Sequence, residues 1–127
     1  ATARLRDHRL YGAHGGHQGD SLFLVNDLSQ LVRMDKYSGD IVWSVQLPSF
    51  LKINPRKSKE VVAHFGPIVA SGKVILVSSD KKIRVFNPID GSLIDDVTVP
   101  SGATSNPVIV DNILYFVSRD GDLHAFR

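Results

Sequence analysis

The histidines are the residues of this sequence whose spacing most readily suggests metal chemistry. His14 and His17 flank two glycines near the start of the chain, with His8 a short distance before them. Zinc in proteins is held by three or four ligands in a fixed geometry, which two imidazoles on a glycine-rich segment do not supply. The pattern predicts adventitious metal binding and no native metal site. His64 and His124 fall within predicted strands and are expected at the surface or between packed sheets.

A second candidate for metal chemistry is the pair of aspartates, Asp120 and Asp122, on either side of Gly121. This pattern is similar to part of a calcium-binding loop. Such a loop continues with regularly spaced oxygen ligands and ends in a glutamate, neither of which follows here. The three residues align with 80–82 in an internal repeat, and we predict a hairpin turn at both places.

The strands and turns that would position these residues belong to a sequence pattern that occurs three times in the chain. Residues 22–48 align with residues 74–100 at a constant offset of 52 and without a gap. A third copy follows the second at an offset of 40. Identical residues in these alignments are Leu24 and Leu76, Val25 and Val77, Gly39 and Gly91, Val45 and Val97, Pro48 and Pro100, Pro67 and Pro107, Val77 and Val117, Asp80 and Asp120, and Phe86 and Phe126. A period of roughly 40–50 residues with several short strands in each copy is typical of β-propellers.

Each copy is predicted to form a blade, which is a small antiparallel sheet that packs face to face on its neighbours. The strands predicted in the second and third copies are Ile68–Ala70, Val74–Val77, Ile83–Phe86, Leu93–Val99, Val108–Val110, Ile113–Ser118 and Leu123–Phe126. Turn residues such as Pro88 and Gly91 separate them. A propeller needs about four to eight blades to close. We therefore predict an all-β fold, a partial β-propeller of under three four-stranded blades from the C-terminal portion of a larger ring.

The repeats also predict how the chain is divided. The propeller copies are 20–48, 61–100 and 104–127, and residues 1–19 are expected to be irregular, because the offset places Gly15–Gln18 where a strand should lie. Between the first two copies, residues 49–60 contain a proline, an asparagine and four basic residues, and are predicted to be a projecting loop. Unpaired blade edges would favour self-association.

Composition excludes several classes of function. The chain has no cysteine, which removes disulfides, thiol catalysis and cysteine metal sites. Its formal charge of +2 is too small to indicate a nucleic-acid partner. No apolar run approaches the length of about 20 residues that crosses a membrane, and the first residues do not have the pattern of a secretory signal.

The segment from Met34 to Trp43 resembles the PQQ-like (quinoprotein-like) propeller repeat. That repeat has an apolar residue and an aspartate, here Met34 and Asp35, then a turn such as Ser38-Gly39, then a tryptophan. The second copy keeps the turn as Asp90-Gly91 but has an aspartate at position 95 in place of the tryptophan. The resemblance covers residues 20–127.

Within this group the sequence is most similar to BamB-like outer-membrane assembly lipoproteins. The similarity lies in Leu47-Pro48, the basic segment after it, Phe65-Gly66-Pro67 and residues 76–79. It implies a non-catalytic scaffold at the periplasmic face of the bacterial outer membrane, anchored through a lipidated cysteine that this chain lacks. The implied partner is the set of periplasmic domains of the barrel-assembly pore protein. No cofactor is implied.

Two other functions are compatible with a propeller built from this repeat. A PQQ-dependent dehydrogenase would be expected to have adjacent cysteines, a calcium ion held by Glu, Asn and Asp, and an aspartate base; the chain has no cysteine. Trp43 occupies the position at which the repeat packs blades together, and Asp35 is expected to cap the following turn. The third function is a propeller that binds a peptide or a polysaccharide.

The basic segment is the one feature that exceeds the needs of a scaffold. It combines apolar residues that could anchor a partner with positive charges that suit an acidic surface. The alternative is a solvated loop whose lysines only keep it soluble. The candidate partner-binding residues are Phe50, Leu51, Lys52, Arg56, Lys57 and Lys59.

Overall fold

The computed structural model describes residues 21–54 and 58–126, and it consists of strands and turns over these ranges. The twelve strands are β1 (Ser21–Val25), β2 (Gln30–Asp35), β3 (Ile41–Gln46), β4 (Phe50–Asn54), β5 (Ser58–Val61), β6 (His64–Ala70), β7 (Lys73–Ser78), β8 (Lys82–Phe86), β9 (Leu93–Thr98), β10 (Val108–Val110), β11 (Ile113–Val117) and β12 (Leu123–Phe126).

Three of the sheets correspond to the three sequence copies. The first has the order β1-β2-β3, the second β6-β7-β8-β9 and the third β10-β11-β12. Every paired neighbour is antiparallel and consecutive in sequence. This arrangement confirms the prediction of an all-β, partial propeller.

The predicted strand limits in the second and third copies are close to those observed, with one exception. Strand β6 begins at His64 rather than at Ile68, and it passes through Gly66 and Pro67. Their peptide bond is cis, and the pairing with β7 shifts register between Phe65 and Ile68. Proline has no N–H to donate to the ladder, so a strand accommodates it at an irregularity where pairing skips a position. Gly66-Pro67 therefore lies within the strand instead of before it.

The core of the protein lies between consecutive sheets. One buried cluster joins the first sheet to the second and contains Phe23, Leu31, Leu47, Val69, Val74, Leu76 and Phe86. The other joins the second sheet to the third and contains Ile68, Val77, Ile83, Val99, Ala103, Leu114 and Phe116. Strand β7 contributes to both clusters, because successive side chains of a strand point to opposite faces.

Trp43 packs between blades, as the sequence predicted. Its ring lies 6.0 Å from that of Phe23, measured between centroids, and it is partly buried against the first core cluster. Its indole N–H donates a hydrogen bond of 2.9 Å to the carbonyl oxygen of Pro88 in the second sheet. Gly91, with φ of +78°, lies so close that a Cβ there would be 2.8 Å from a ring carbon.

The turn before Trp43 is held by Asp35, which confirms the predicted cap. One carboxylate oxygen of Asp35 accepts hydrogen bonds from the backbone N–H groups of Tyr37 (2.8 Å) and Ser38 (3.1 Å). In the second copy Asn87 does the same for the N–H of Ile89, at 2.8 Å. A side-chain oxygen that binds the backbone two residues later stabilises such turns.

Residues 118–122 form the hairpin turn predicted for the two aspartates. The N–H of Ser118 donates to the carbonyl oxygen of Asp122, and the N–H of Gly121 donates to that of Ser118, each at 2.9 Å. The turn joins β11 to β12.

The predicted loop at 49–60 is wrong in one respect, because most of it is paired. Strands β4 and β5 form a separate two-stranded antiparallel sheet, which we call the insertion hairpin. Proline and charged residues favour loops, but the segments on either side of the proline pair with each other as an antiparallel ladder. The irregular segment predicted for 1–19 lies outside the described residues. Strand β9 has one strand neighbour in the described sheet, and self-association through such an edge stays a prediction.

Replacing Gly91 by alanine tests the packing between the first two blades. We expect Gly91→Ala to lower the free energy of unfolding by about 3 kcal/mol, because the new methyl group would overlap the ring of Trp43 and alanine disfavours a positive φ. The matched control is Gly39→Ala, at the equivalent turn, where φ is +77° and nothing lies within 4 Å. It should cost only about 1 kcal/mol. Urea denaturation followed by fluorescence of Trp43, the only tryptophan of this chain, measures both. Equal losses would contradict the packing role.

Candidate functional site

The insertion hairpin contains most of the residues that the sequence analysis selected. Its backbone pairs Leu51 with Glu60 and Lys52 with Lys59. The structure thus brings two of the selected lysine positions directly opposite each other. Arg56 and Lys57 lie outside the described residues.

The base of the hairpin presents an apolar pair that the sequence analysis recognised only in part. Phe50 is directly opposite Val61 in the register. Their exposed fractions are 58% and 66%, which are high for large apolar side chains. Val61 was missed because its neighbour across the hairpin is eleven positions away in sequence, and only a predicted β4–β5 pairing could have indicated it.

The hairpin is attached firmly at both ends. The N–H of Val62 donates to the carbonyl oxygen of Ser49 at 2.9 Å, which closes the base. Leu47 on one side and Val62 on the other are buried. Buried apolar residues next to a hydrogen-bonded base restrict movement of the hairpin relative to the sheets.

His64 connects the hairpin to the second sheet. Its Nε2 lies 2.8 Å from the carbonyl oxygen of Pro48, and its Nδ1 lies 2.7 Å from the hydroxyl of Ser78. A carbonyl oxygen can only accept, so Nε2 carries the hydrogen, and in the neutral ring Nδ1 accepts from Ser78. Burial lowers the pKa of His64 below its ordinary value of 6.5, against the effect of the Pro48 hydrogen bond, which raises it. Nearby Arg84 also lowers this pKa.

The positive charge of Arg84, near His64, is paired with a carboxylate. Its guanidinium makes two hydrogen bonds to the carboxylate of Asp80, at 3.1 and 2.6 Å. About a tenth of each side chain is exposed. Substitution of either residue alone would be destabilising, because it would leave the other charge buried without a partner. This pair therefore joins the β7–β8 turn to β8, at the end of the second blade from which the hairpin extends.

Backbone hydrogen bonds bring the interblade connections and the β-turns to one edge of the sheets. The N–H of Ser79, in the turn between β7 and β8, donates to the carbonyl oxygen of Ala63 at 2.8 Å. The N–H of Arg119 donates to the carbonyl oxygen of Gly102 at 2.8 Å in the same way between the next two blades. We call this the hairpin edge. A Cβ on Gly102 would overlap the carbonyl oxygen of Ser79, so glycine permits this approach.

The hydrogen bond between Ser78 and His64 joins the residue types of a catalytic nucleophile and its base. A serine nucleophile must reach its substrate, and its histidine is oriented by a third group on the other ring nitrogen. Ser78 is buried, and the other nitrogen of His64 donates to the main-chain carbonyl of Pro48. The pair is therefore suited to holding the connection at Pro48 in place.

Metal ligands do not gather in the part of the chain that the structure describes. Over that part no group of three or more His, Cys, Asp or Glu side chains lies close enough to hold an ion. His8, His14 and His17 lie outside it. Within the same part, no helix is long and apolar enough to cross a membrane.

The lowered pKa of His64 predicts a pH-dependent stability. The unfolded chain binds the proton more readily than the folded one, so the free energy of unfolding should be greatest above pH 6.5 and fall as the pH drops below it. His64→Gln removes the titrating ring and should make this decrease shallower. The control is His124→Gln, which removes an imidazole from β12. Urea denaturation at several pH values between about 7.5 and 5.5 measures the slopes. A slope unchanged by His64→Gln would contradict the prediction.

Comparisons with known proteins agree with the fold. A family model described as outer membrane protein assembly factor BamB matches residues 3–127. The chain is 28% identical over 111 residues to outer membrane protein assembly factor BamB of Yersinia pestis, covering 87% of this chain and 28% of that protein. It is 26% identical over 117 residues to the protein of the same name from Alkalilimnicola ehrlichii, covering 90% of this chain and 28% of that protein.

A solved structure shows the same architecture. The crystal structure of BamB from Moraxella catarrhalis superposes with a TM-score of 0.66 at 14% identity, over 83% of this chain and 29% of that one. The chain thus spans little more than a quarter of the length of these relatives. Since the family model matches nearly the whole sequence, this chain belongs to the BamB family of PQQ-like propellers.

Proposed function

We propose that this chain is part of a non-catalytic scaffold that assists the assembly of β-barrel proteins in the bacterial outer membrane by binding another protein. The observation that carries the proposal is the insertion hairpin, a basic element attached rigidly to a propeller of the BamB family. The relatives' name, outer membrane protein assembly factor, supports the process. From membership of the family we also propose a location at the periplasmic face of the outer membrane.

The rigidity of the hairpin base favours a binding role. Binding costs less when the contact surface is already ordered in the free protein. Hydrogen bonds of 2.8 to 2.9 Å hold Pro48 to His64 and Ser49 to Val62, at the two places where the hairpin leaves the blades. A partner would therefore meet a base that is already in position.

The chemistry of the hairpin indicates the kind of partner. The exposed pair of Phe50 and Val61 supplies an apolar contact, and aromatic side chains are common anchors of interfaces. The positive charge of the segment suits an acidic protein surface. The proposed contact residues are Phe50, Leu51, Lys52, Arg56, Lys57 and Lys59. We propose the periplasmic domains of the barrel-assembly pore protein as the partner.

The packing of Trp43 between two blades favours a scaffold function over an oxidoreductase function. In this chain the tryptophan of the repeat is held by Phe23 and by the carbonyl oxygen of Pro88. A ring engaged between two blades has a packing role that accounts for its presence without a cofactor.

Affinity capture tests the proposed process. We expect the complete protein, used as bait in a detergent extract of the bacterial envelope, to retain the barrel-assembly pore protein, identified by mass spectrometry. Bait loaded with PQQ and calcium should show no dye-linked alcohol oxidation. Reproducible absence of the pore protein from the captured material would contradict the assembly role, and alcohol oxidation would favour the enzyme.

Charge reversal tests the contact surface. The variant with Lys52, Arg56, Lys57 and Lys59 changed to glutamate should bind the partner about tenfold more weakly, because exposed charge pairs each contribute about 0.2–1 kcal/mol. The remaining affinity should also depend less on salt.

A matched pair of variants controls for net charge. Lys52→Glu with Lys59→Glu changes the paired positions of the hairpin, whereas Lys36→Glu with Lys81→Glu makes the same change at two exposed lysines outside it. Only the hairpin pair should weaken binding. Similar losses in both pairs would show that net charge, not the hairpin, attracts the partner.

A further inference from the structure

The two ends of the insertion hairpin are joined by one side chain. The chain leaves the first sheet through Pro48 and returns to the second sheet at His64, the first residue of β6. The imidazole lies between them, with Nε2 2.8 Å from the carbonyl oxygen of Pro48 and Nδ1 2.7 Å from the hydroxyl of Ser78 on β7. The main-chain bond from Val62 to Ser49 lies at the same base. The imidazole therefore links the segment that enters the hairpin to the second sheet.

The two hydrogen bonds of His64 suit only the neutral imidazole. In that form Nε2 donates to Pro48 and Nδ1 accepts from Ser78. A proton on Nδ1 would make it a donor, so the hydroxyl of Ser78 would have to turn its oxygen toward the ring. Ser78 is 1% exposed, and among the residues that the structure describes its hydroxyl is bonded to His64 alone. The hydroxyl hydrogen would then be buried without an acceptor, which is costly.

Burial and nearby charges also act on His64. Burial has the largest effect and lowers the pKa of His64 below 6.5, while the hydrogen bond to Pro48 raises it. The charged groups that face the ring are Arg84 of β8, which lowers this pKa, and Asp80 of the β7–β8 turn, which raises it. These two side chains are paired with each other at 2.6 and 3.1 Å, so their opposite effects partly cancel. The buried position thus favours the neutral ring.

We propose that His64 is a positioning residue that holds the insertion hairpin in place while its imidazole is neutral and releases the hairpin when it is protonated. A charged ring gains solvation by turning out of the site, and water then replaces it at the carbonyl of Pro48. One of the two connections at the base of the hairpin is lost. Because the insertion hairpin is the contact surface in the proposed function, on which this inference rests, release weakens binding of the partner protein: the hairpin must then be ordered as it binds.

Hydrogen exchange at the base of the hairpin measures this release without a partner. The amide of Val62, bonded to Ser49, reports on the base, and the amide of Val99, bonded to the carbonyl oxygen of Lys81 at 3.0 Å, is the control. In the complete protein the protection of Val62, corrected for the intrinsic effect of pH on exchange, should decrease below pH 6.5. The decrease should reach at most about tenfold per pH unit, the limit for uptake of one proton. Constant protection of Val62, or an equal decrease at Val99, would overturn the proposal.

Two substitutions at His64 separate its hydrogen bond from its charge. His64→Gln keeps an N–H donor that can reach Pro48 but does not titrate, so the decrease at Val62 between about pH 7.5 and 5.5 should disappear. His64→Leu removes the donor and should lower the protection of Val62 about fivefold at both pH values. A decrease retained in full by His64→Gln would overturn the proposal. If exchange at Val99 shows that His64→Leu does not fold, the comparison of the unaltered protein with His64→Gln decides.

Binding of the proposed partner gives the functional measurement. Between about pH 7.5 and 5.5 the affinity of the complete protein should fall by up to about tenfold, and by less in His64→Gln, which controls for titration of the partner itself. The same pH dependence in both proteins would overturn the link between His64 and binding. Absence of binding at every pH would contradict the proposed function, whereas exchange at Val62 would still decide whether His64 holds the hairpin.

Discussion

The packing of each sheet face against the next sheet is the constraint on which the rest of the structure depends. A sheet of three or four short strands cannot bury its apolar residues within itself, so it is stable only when another layer covers it. Strand β7 shows this most clearly, because Val74 and Leu76 enter the first core cluster while Val77 enters the second. The three sheets are therefore stabilised as a stack, and none of them is an independent unit.

This constraint uses the faces of the sheets and leaves their edges for binding. At one edge the interblade connections are joined to the β-turns by backbone hydrogen bonds, and the insertion hairpin extends from there. Toward the other edge the repeat's tryptophan joins the first two blades by its hydrogen bond to Pro88. The insertion hairpin depends on a framework in which the buried guanidinium groups of Arg33 and Arg84 are hydrogen-bonded.

Arg33 illustrates how far that satisfaction extends. Its guanidinium is buried, yet it donates to the hydroxyl of Ser21 at 2.9 Å and to the carbonyl oxygen of Pro88 at 3.0 Å. Pro88 therefore accepts hydrogen bonds from both Arg33 and Trp43 across the first junction. A buried cation with partners in two blades contributes to the relative position of those blades as well as to their stability.

The repeats, most of the strands and the turn chemistry could be predicted from the amino-acid sequence, since these depend on residues close together in the chain. The continuous apolar run of β7, the cap at Asp35 and the packing role of the repeat's tryptophan could all be predicted from local patterns. Which distant segments are in contact could be seen only in the folded structure. The pairing of β4 with β5, the hydrogen bond from His64 to Pro48 and the hydrogen bond from Trp43 to Pro88 are contacts between residues distant in sequence. Such contacts depend on chain reversal and on how well two surfaces fit, and no short-range pattern records either.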